Sequence, residues 1–205
     1  IPVIVYHGDE SNLPEIFDRI NSQGTPLDQY EVYAAAWPVN QRFAIGNTEI
    51  VEAAIKKYAK NIAFIIKNKE GKNITYTNIT YEKFGKDMRN LGTALINLGL
   101  ENKRIAIIGK NNYEWALTYG AVLSGVGVTV PLDKGLQESE TIMSLQRSKA
   151  DAIVFEKEYI DLVKKIKSEN NTNLKYFICM NSNEDKENLY LYDLMKKGEE
   201  QQNDT

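Results

Sequence analysis

At 205 residues the chain is long enough for a sizeable core and for one or two domains. Hydrophobic residues make up 42% of it, charged residues 26%, and the net charge is -3, which gives no reason to expect nucleic acid or an anionic membrane as a partner. No apolar run approaches a membrane span, no signal peptide is visible, and a single cysteine excludes an internal disulfide, so the cytosol is expected, with peripheral membrane contact at most.

The chain opens without an initiator Met in the strand-like run Ile1 to Tyr6 and closes in a polar tail, Gly198 to Thr205. A piece of a longer protein is therefore expected. Leu13 to Ile20 reads as a helix, Gln23-Gly24-Thr25-Pro26 as a turn, and Leu27-Asp28 leads into a second helix through Trp37, stopped by Pro38. Arg19 and Asn21 either contact a ligand or tie down that turn, and tying is favoured because such side chains commonly bond nearby backbone. Asn47 or Thr48 can cap a helix to about Ala59, with Ile50, Ala54, Ile55 and Tyr58 on one face. Ile62 to Ile66 and Asn73 to Thr77 read as a hairpin turning at Asn68 to Gly71. Thr80 is then an N-cap for a long amphipathic helix with Phe84, Met88, Leu91, Leu95 and Leu98 on its apolar face, and Gly99 stops it.

From Arg104 onward strands and helices alternate. Apolar strands are expected at Ile105 to Ile108, Gly127 to Pro131, Ala152 to Phe155 and Tyr176 to Met180. Helices are expected from about Tyr113 to Leu123, Glu138 to Arg147 and Tyr159 to Lys167. Right-handed crossovers between such strands give an α/β fold: a mainly parallel sheet with helices on both faces, preceded by a small, mostly helical segment. The organisation expected is a helical segment at 1–46 and a partial α/β subdomain at 47–205.

Few residues carry chemistry. Cys179, inside Tyr176 to Met180, is expected to be a buried small hydrophobe, and His7 alone makes no metal site. The run Glu184 to Glu187 is expected on a solvated surface, and the sequons at Asn73, Asn78 and Asn171 to be chance. Strand, polar turn and helix at Ile108 to Trp115 place polar groups at the carboxyl end of a parallel strand, where ligands approach open α/β sheets. There Asn111 can cap the helix and Trp115 can pack it against the sheet. For Asn111, Glu114 and Trp115 such structural roles are favoured over direct ligand contact. Gly125 and Gly127 serve the helix-to-strand turn and not a phosphate, since they precede a strand. No Gly-x-Gly-x-x-Gly follows a strand, which leaves a dinucleotide site without support.

The run Arg104-Ile105-Ala106-Ile107-Ile108-Gly109-Lys110-Asn111-Asn112-Tyr113-Glu114-Trp115 resembles a segment of adenylate-forming long-chain acyl-CoA synthetases. Thr80 to Leu100 and Tyr119 to Asp133 are similar to the parts that flank it, and the likeness covers roughly residues 47 to 200. The resemblance implies a ligase in which a carboxylic acid attacks the α-phosphate of Mg-bound ATP and coenzyme A then displaces AMP. The phosphate loop, the carboxylates for Mg and ribose, and the mobile-domain lysine of that family would lie beyond this piece. Neither Ser22-Gln23-Gly24-Thr25 nor Asn170-Asn171-Thr172-Asn173 matches the loop. No catalytic or metal residue is therefore carried over, no cofactor is expected to bind this chain tightly, and its partners would be the acid substrate and the rest of the polypeptide. Asn12 to Leu27, with Tyr30 to Trp37, instead resembles ParB-like nuclease domains of restriction systems, which leaves a DNA-directed fragment joined to a Rossmann-like module as the alternative.

Overall fold

The apolar run Ile62 to Ile66 with its polar continuation and the stretch Asn73 to Thr80 form an antiparallel hairpin, β1 (Ile62–Glu70) and β2 (Asn73–Thr80), in the computed structural model, which describes residues 51–71 and 73–203. These residues belong to one unit, Phe43–Thr205. The readings for residues 1–50, including Arg19, Asn21, His7 and the caps Asn47 and Thr48, lie outside the described residues. The hairpin runs further than its apolar stretch, because Lys67 to Glu70 continue the ladder and Asn68 Nδ2 donates to Thr77 Oγ1 at 2.8 Å. The turn expected at Asn68 to Gly71 accordingly falls later, with Asn68 to Glu70 in the strand and Gly71 in the turn. Phe64, Ile66 and Ile79 point inward, and Phe64 meets the rings of Phe84 and Tyr113 at 4.9 and 5.3 Å between centroids.

Helix α1 (Tyr81–Leu95) starts where Thr80 Oγ1 accepts the Lys83 N–H at 3.2 Å, as a hydroxyl at this position should. One wider turn follows, and Gly99, at φ 80°, ends it. Then come β3 (Lys103–Ile108), α2 (Tyr113–Ala121), β4 (Gly127–Leu132), α3 (Glu138–Ser148), β5 (Ala152–Phe155), α4 (Ile160–Glu169), β6 (Tyr176–Cys179), β7 (Leu189–Tyr190) and α5 (Leu191–Asn203). The sheet order is β4-β3-β5-β6-β7, with every pairing parallel.

Two apolar layers follow from the alternation of side chains along β3. Ile105 and Ile107 join Leu91, Leu95, Leu117, Leu191 and Leu194 on one face, under α1, α2 and α5. Ala106 and Ile108 join Leu145, Phe155, Val163 and Ile166 on the other, under α3 and α4. Burying each of these larger side chains contributes roughly 1.5–3 kcal/mol, which is why the sheet and not local propensity organises the unit. Cys179 is one of the buried residues, 3% exposed and unpaired.

The expected polar tail at Gly198 to Thr205 is corrected by the structure: α5 continues through Asn203. Leu191, Leu194, Met195 and Gly198 recur at helical spacing and are buried, and the last of them sits against the backbone of α1. Glycine and a charged run suggest a helix end when read alone, yet here the glycine permits the contact that keeps the helix.

Candidate functional site at the carboxyl edge of the sheet

Because β4 lies on one side of β3 and β5 on the other, the chain leaves β3 in one direction and returns past it to start β5. Loops at such a reversal diverge and open a crevice at the carboxyl ends of the two strands. That end carries Gly109 to Asn112 after β3 and Glu156 to Tyr159 after β5.

Glu156 is the centre of this edge. It follows the wholly buried β5, is 3% exposed, and places both carboxylate oxygens under the neighbouring loop. Oε2 accepts the Lys110 N–H at 2.8 Å and Oε1 accepts Asn112 Nδ2 at 2.8 Å. Gly109 makes this possible: its φ is 159°, and a Cβ there would lie 2.8 Å from Glu156 Cγ. Asn112 spends the other end of its amide on the helix, its Oδ1 accepting the Trp115 N–H at 2.8 Å. The cap expected of Asn111 thus belongs to Asn112. The chain needs one more residue to turn from β3 around the Glu156 carboxylate before the helical bonds begin. Asn111 is left exposed, with no side-chain hydrogen bond among the described residues.

Replacing Asn112 with Ala is expected to cost about 1–2 kcal/mol in urea unfolding, as for other lost N-caps, while Asn112→Asp should cost as much or more. An aspartate keeps the cap but sets a second carboxylate against Glu156, so a fully restored N112D would contradict the shared role of this amide.

Each loop on this edge is tied to the next. Asp133 Oδ1 accepts the Gly135 N–H at 2.8 Å after β4, and Tyr159 O–H donates to the Lys134 carbonyl at 3.3 Å. Asn181 Oδ1, after β6, accepts the Lys157 N–H at 2.9 Å. Burial raises the Tyr159 pKa, helped by the Glu156 and Glu158 carboxylates, which keeps its proton available for donation. Lys110 Nζ meets Glu158 Oε1 at 2.9 Å, and their hydrogen bond raises the lysine pKa and lowers the glutamate's. Both groups are largely exposed, so this pair adds little stability.

Glu114 and Trp115 serve the packing of α2. Glu114 Oε1 accepts the Tyr192 O–H at 2.6 Å, joining α2 to α5, and Trp115 stacks on Tyr119 at 5.2 Å while resting against the core. Deeper, Tyr113 O–H donates to Asp87 Oδ2 at 2.7 Å, and burial foremost pushes the phenol pKa well above its usual value. Asp87 also receives the Lys83 ammonium, so this 4% exposed carboxylate is compensated. Gly125, at φ 130°, makes the turn into β4, as expected. Gly127 does not: its backbone is extended, and glycine is required because a Cβ would stand 2.2 Å from the Lys103 carbonyl oxygen.

Both Glu156 oxygens are occupied, and Glu158 faces a lysine. Among the described residues no group of three His, Cys, Asp or Glu side chains can hold a metal ion. The centrality of Glu156 and Asn112 was missed from sequence. The available signal was an acidic residue directly after an all-apolar strand.

Residues 51–204 match the family model described as AMP-binding enzyme. A long-chain-fatty-acid-CoA ligase from Archaeoglobus fulgidus superposes with a TM-score of 0.64 at 15% identity, over 76% of this chain and 30% of that one. An anthranilate CoA ligase solved with anthranoyl-AMP gives 0.60 at 16% identity, over 74% and 27%. The luciferase-like enzyme of the mealworm Zophobas morio gives 0.63 at 16% identity, over 77% and 36%. This chain thus spans about a third or less of the first two structures. No curated protein matches the sequence.

Proposed function

Since the chain belongs to the AMP-binding enzyme family, we propose that it forms the amino-terminal part of an ATP-dependent carboxylic acid–CoA ligase. The observation that carries this reading is the family match over 51–204, laid on a parallel sheet shared with CoA ligases. In the proposed reaction the acid attacks the α-phosphate of ATP, pyrophosphate leaves, and the coenzyme A thiol then displaces AMP to give the thioester. This chain's residues supply the scaffold: Glu156 and Asn112 hold the loop after β3, and Asn111 is the polar side chain left free beside the crevice.

A fatty acid is the proposed substrate class, on the strength of the sequence likeness over Thr80 to Asp133. The solved relatives act on chemically different compounds by their names, so the fold does not choose among acids. We further propose that the chain alone is inactive and that its compartment is the cytosol. No described helix is long and apolar enough to cross a membrane. The DNA-directed alternative rests on residues 12–37 and gains no support from the comparisons.

The test is a sequencing read through the locus followed by ATP–pyrophosphate exchange with the full product across fatty and aryl acids. A downstream phosphate loop and a mobile-domain lysine, with exchange driven by fatty acids, are the expected results. A frame lacking both would sink the reading, as would tight ATP binding by the 205-residue chain alone.

A further inference from the structure

The opposite end of the sheet carries a second feature. A polar hollow of about 340 Å³ lies where the chain enters β3, β5 and β6, lined by Asn102, Lys103, Arg104, Lys149, Asp151 and Asn173. Its wall also includes Val128 of the edge strand, 54% exposed. It is separated from the carboxyl edge by the length of β3, about 17 Å at the usual rise of ~3.3 Å per residue.

Its backbone is held firmly. Asn102 and Lys149 both adopt left-handed conformations, at φ 57° and 51°, and the Asn102 N–H donates to the Val126 carbonyl at 2.7 Å. Asp151 joins the two strand entrances. Its N–H donates to the Arg104 carbonyl at 2.8 Å, and its Oδ2 accepts the Arg104 N–H at 3.3 Å.

The charges are unbalanced. Lys103, Arg104 and Lys149 line the hollow together with one carboxylate, that of Asp151, and none of the three makes an ion pair among the described residues. In a chain of net charge -3, three unmatched cations on one rigid rim form a local positive field that an anion would relieve.

We propose that this hollow binds a small phosphate-bearing anion of at least two negative charges. The Arg104 guanidinium offers a planar fork for phosphate oxygens, the two ammoniums add point charges, and the Asn102 and Asn173 amides can complete the donor set. The volume lies at the lower end of small-molecule pockets, which favours a diphosphate-sized group over a whole nucleotide. The site is separate from the ligase reading and does not depend on it.

Calorimetric titration of the 205-residue chain with inorganic pyrophosphate at low salt is the test. One saturable site is expected, weakening as sodium chloride is raised. Replacing Lys103 and Lys149 together by Gln should weaken it by about tenfold or more, since two of the three positive charges lining the hollow are lost. Lys165→Gln, which removes a cation already paired with Glu138 on another surface, should leave the affinity unchanged. The exposed side chains replaced should leave the circular dichroism spectrum as it was. Absence of saturable heat overturns the proposal, as does a double variant that binds like the parent. Binding only to vesicles rich in phosphatidylserine, with none to pyrophosphate, would also overturn it and assign the patch to a membrane surface.

Discussion

Gly198→Ala is expected to lower stability by about 3 kcal/mol or more, the upper range for forcing a methyl group into a packed interface. A Cβ at that position would lie 1.9 Å from the Asn90 carbonyl oxygen and 3.2 Å from the Ala94 nitrogen. Both are backbone atoms of α1, so no rotamer change can make room and the two helices must separate. The separation then exposes Leu191, Leu194 and Met195, now 0 to 6% exposed. It also strains the Lys86–Glu199 pair at 2.6 Å and the Asn97–Gln201 hydrogen bond at 2.5 Å. Urea unfolding gives the magnitude, and amide exchange along α5 shows whether that helix opens first. Retention of both the midpoint and the slow exchange in G198A would refute this close approach.

The second large effect concerns Glu156. Glu156→Ala removes two charge-assisted hydrogen bonds from a 3% exposed carboxylate and strands the Lys110 N–H and the Asn112 amide beside it. At about 1.5–3 kcal/mol for each bond to a charged group, a loss of about 3–6 kcal/mol is expected. Glu156→Gln separates shape from charge. Its carbonyl can still accept from Lys110, but its amide must face the Asn112 amide, donor against donor, so roughly half the loss should remain. If E156Q proves as stable as the parent, the carboxylate is not what orders the loop after β3. In a full-length protein with the ligase activity proposed above, the same pair of variants would report whether that loop shapes substrate binding, because a positioning role raises KM at a folded site.

These two positions show how differently the sequence disclosed its contents. Local periodicity was enough for β3, β5 and the cap at Thr80, since a buried strand must be apolar throughout and a helix start needs an oxygen acceptor. Strand–helix alternation likewise implied the parallel sheet, because the crossovers leave few other arrangements. The resemblance over Thr80 to Asp133 pointed to adenylate-forming enzymes, and the family match over 51–204 agrees at that coarser level.

Other features depended on partners distant in the chain. Asn111 and Asn112 are equivalent caps by composition, and only the Glu156 carboxylate, 44 residues from Asn112, selects between them. Gly198 resembles a helix stop until α1 is set against it, over 100 residues away. Of the three cations at the amino edge, Lys103 and Arg104 are neighbours in sequence, and the strand order brings Lys149 to the same hollow. The sequence by itself determined the elements and the sheet they make, since burial period and capping are properties of short stretches. Tertiary structure alone decided which asparagine caps, which glycine admits a helix and where charge gathers, since those depend on contacts between residues that are neighbours only in the fold.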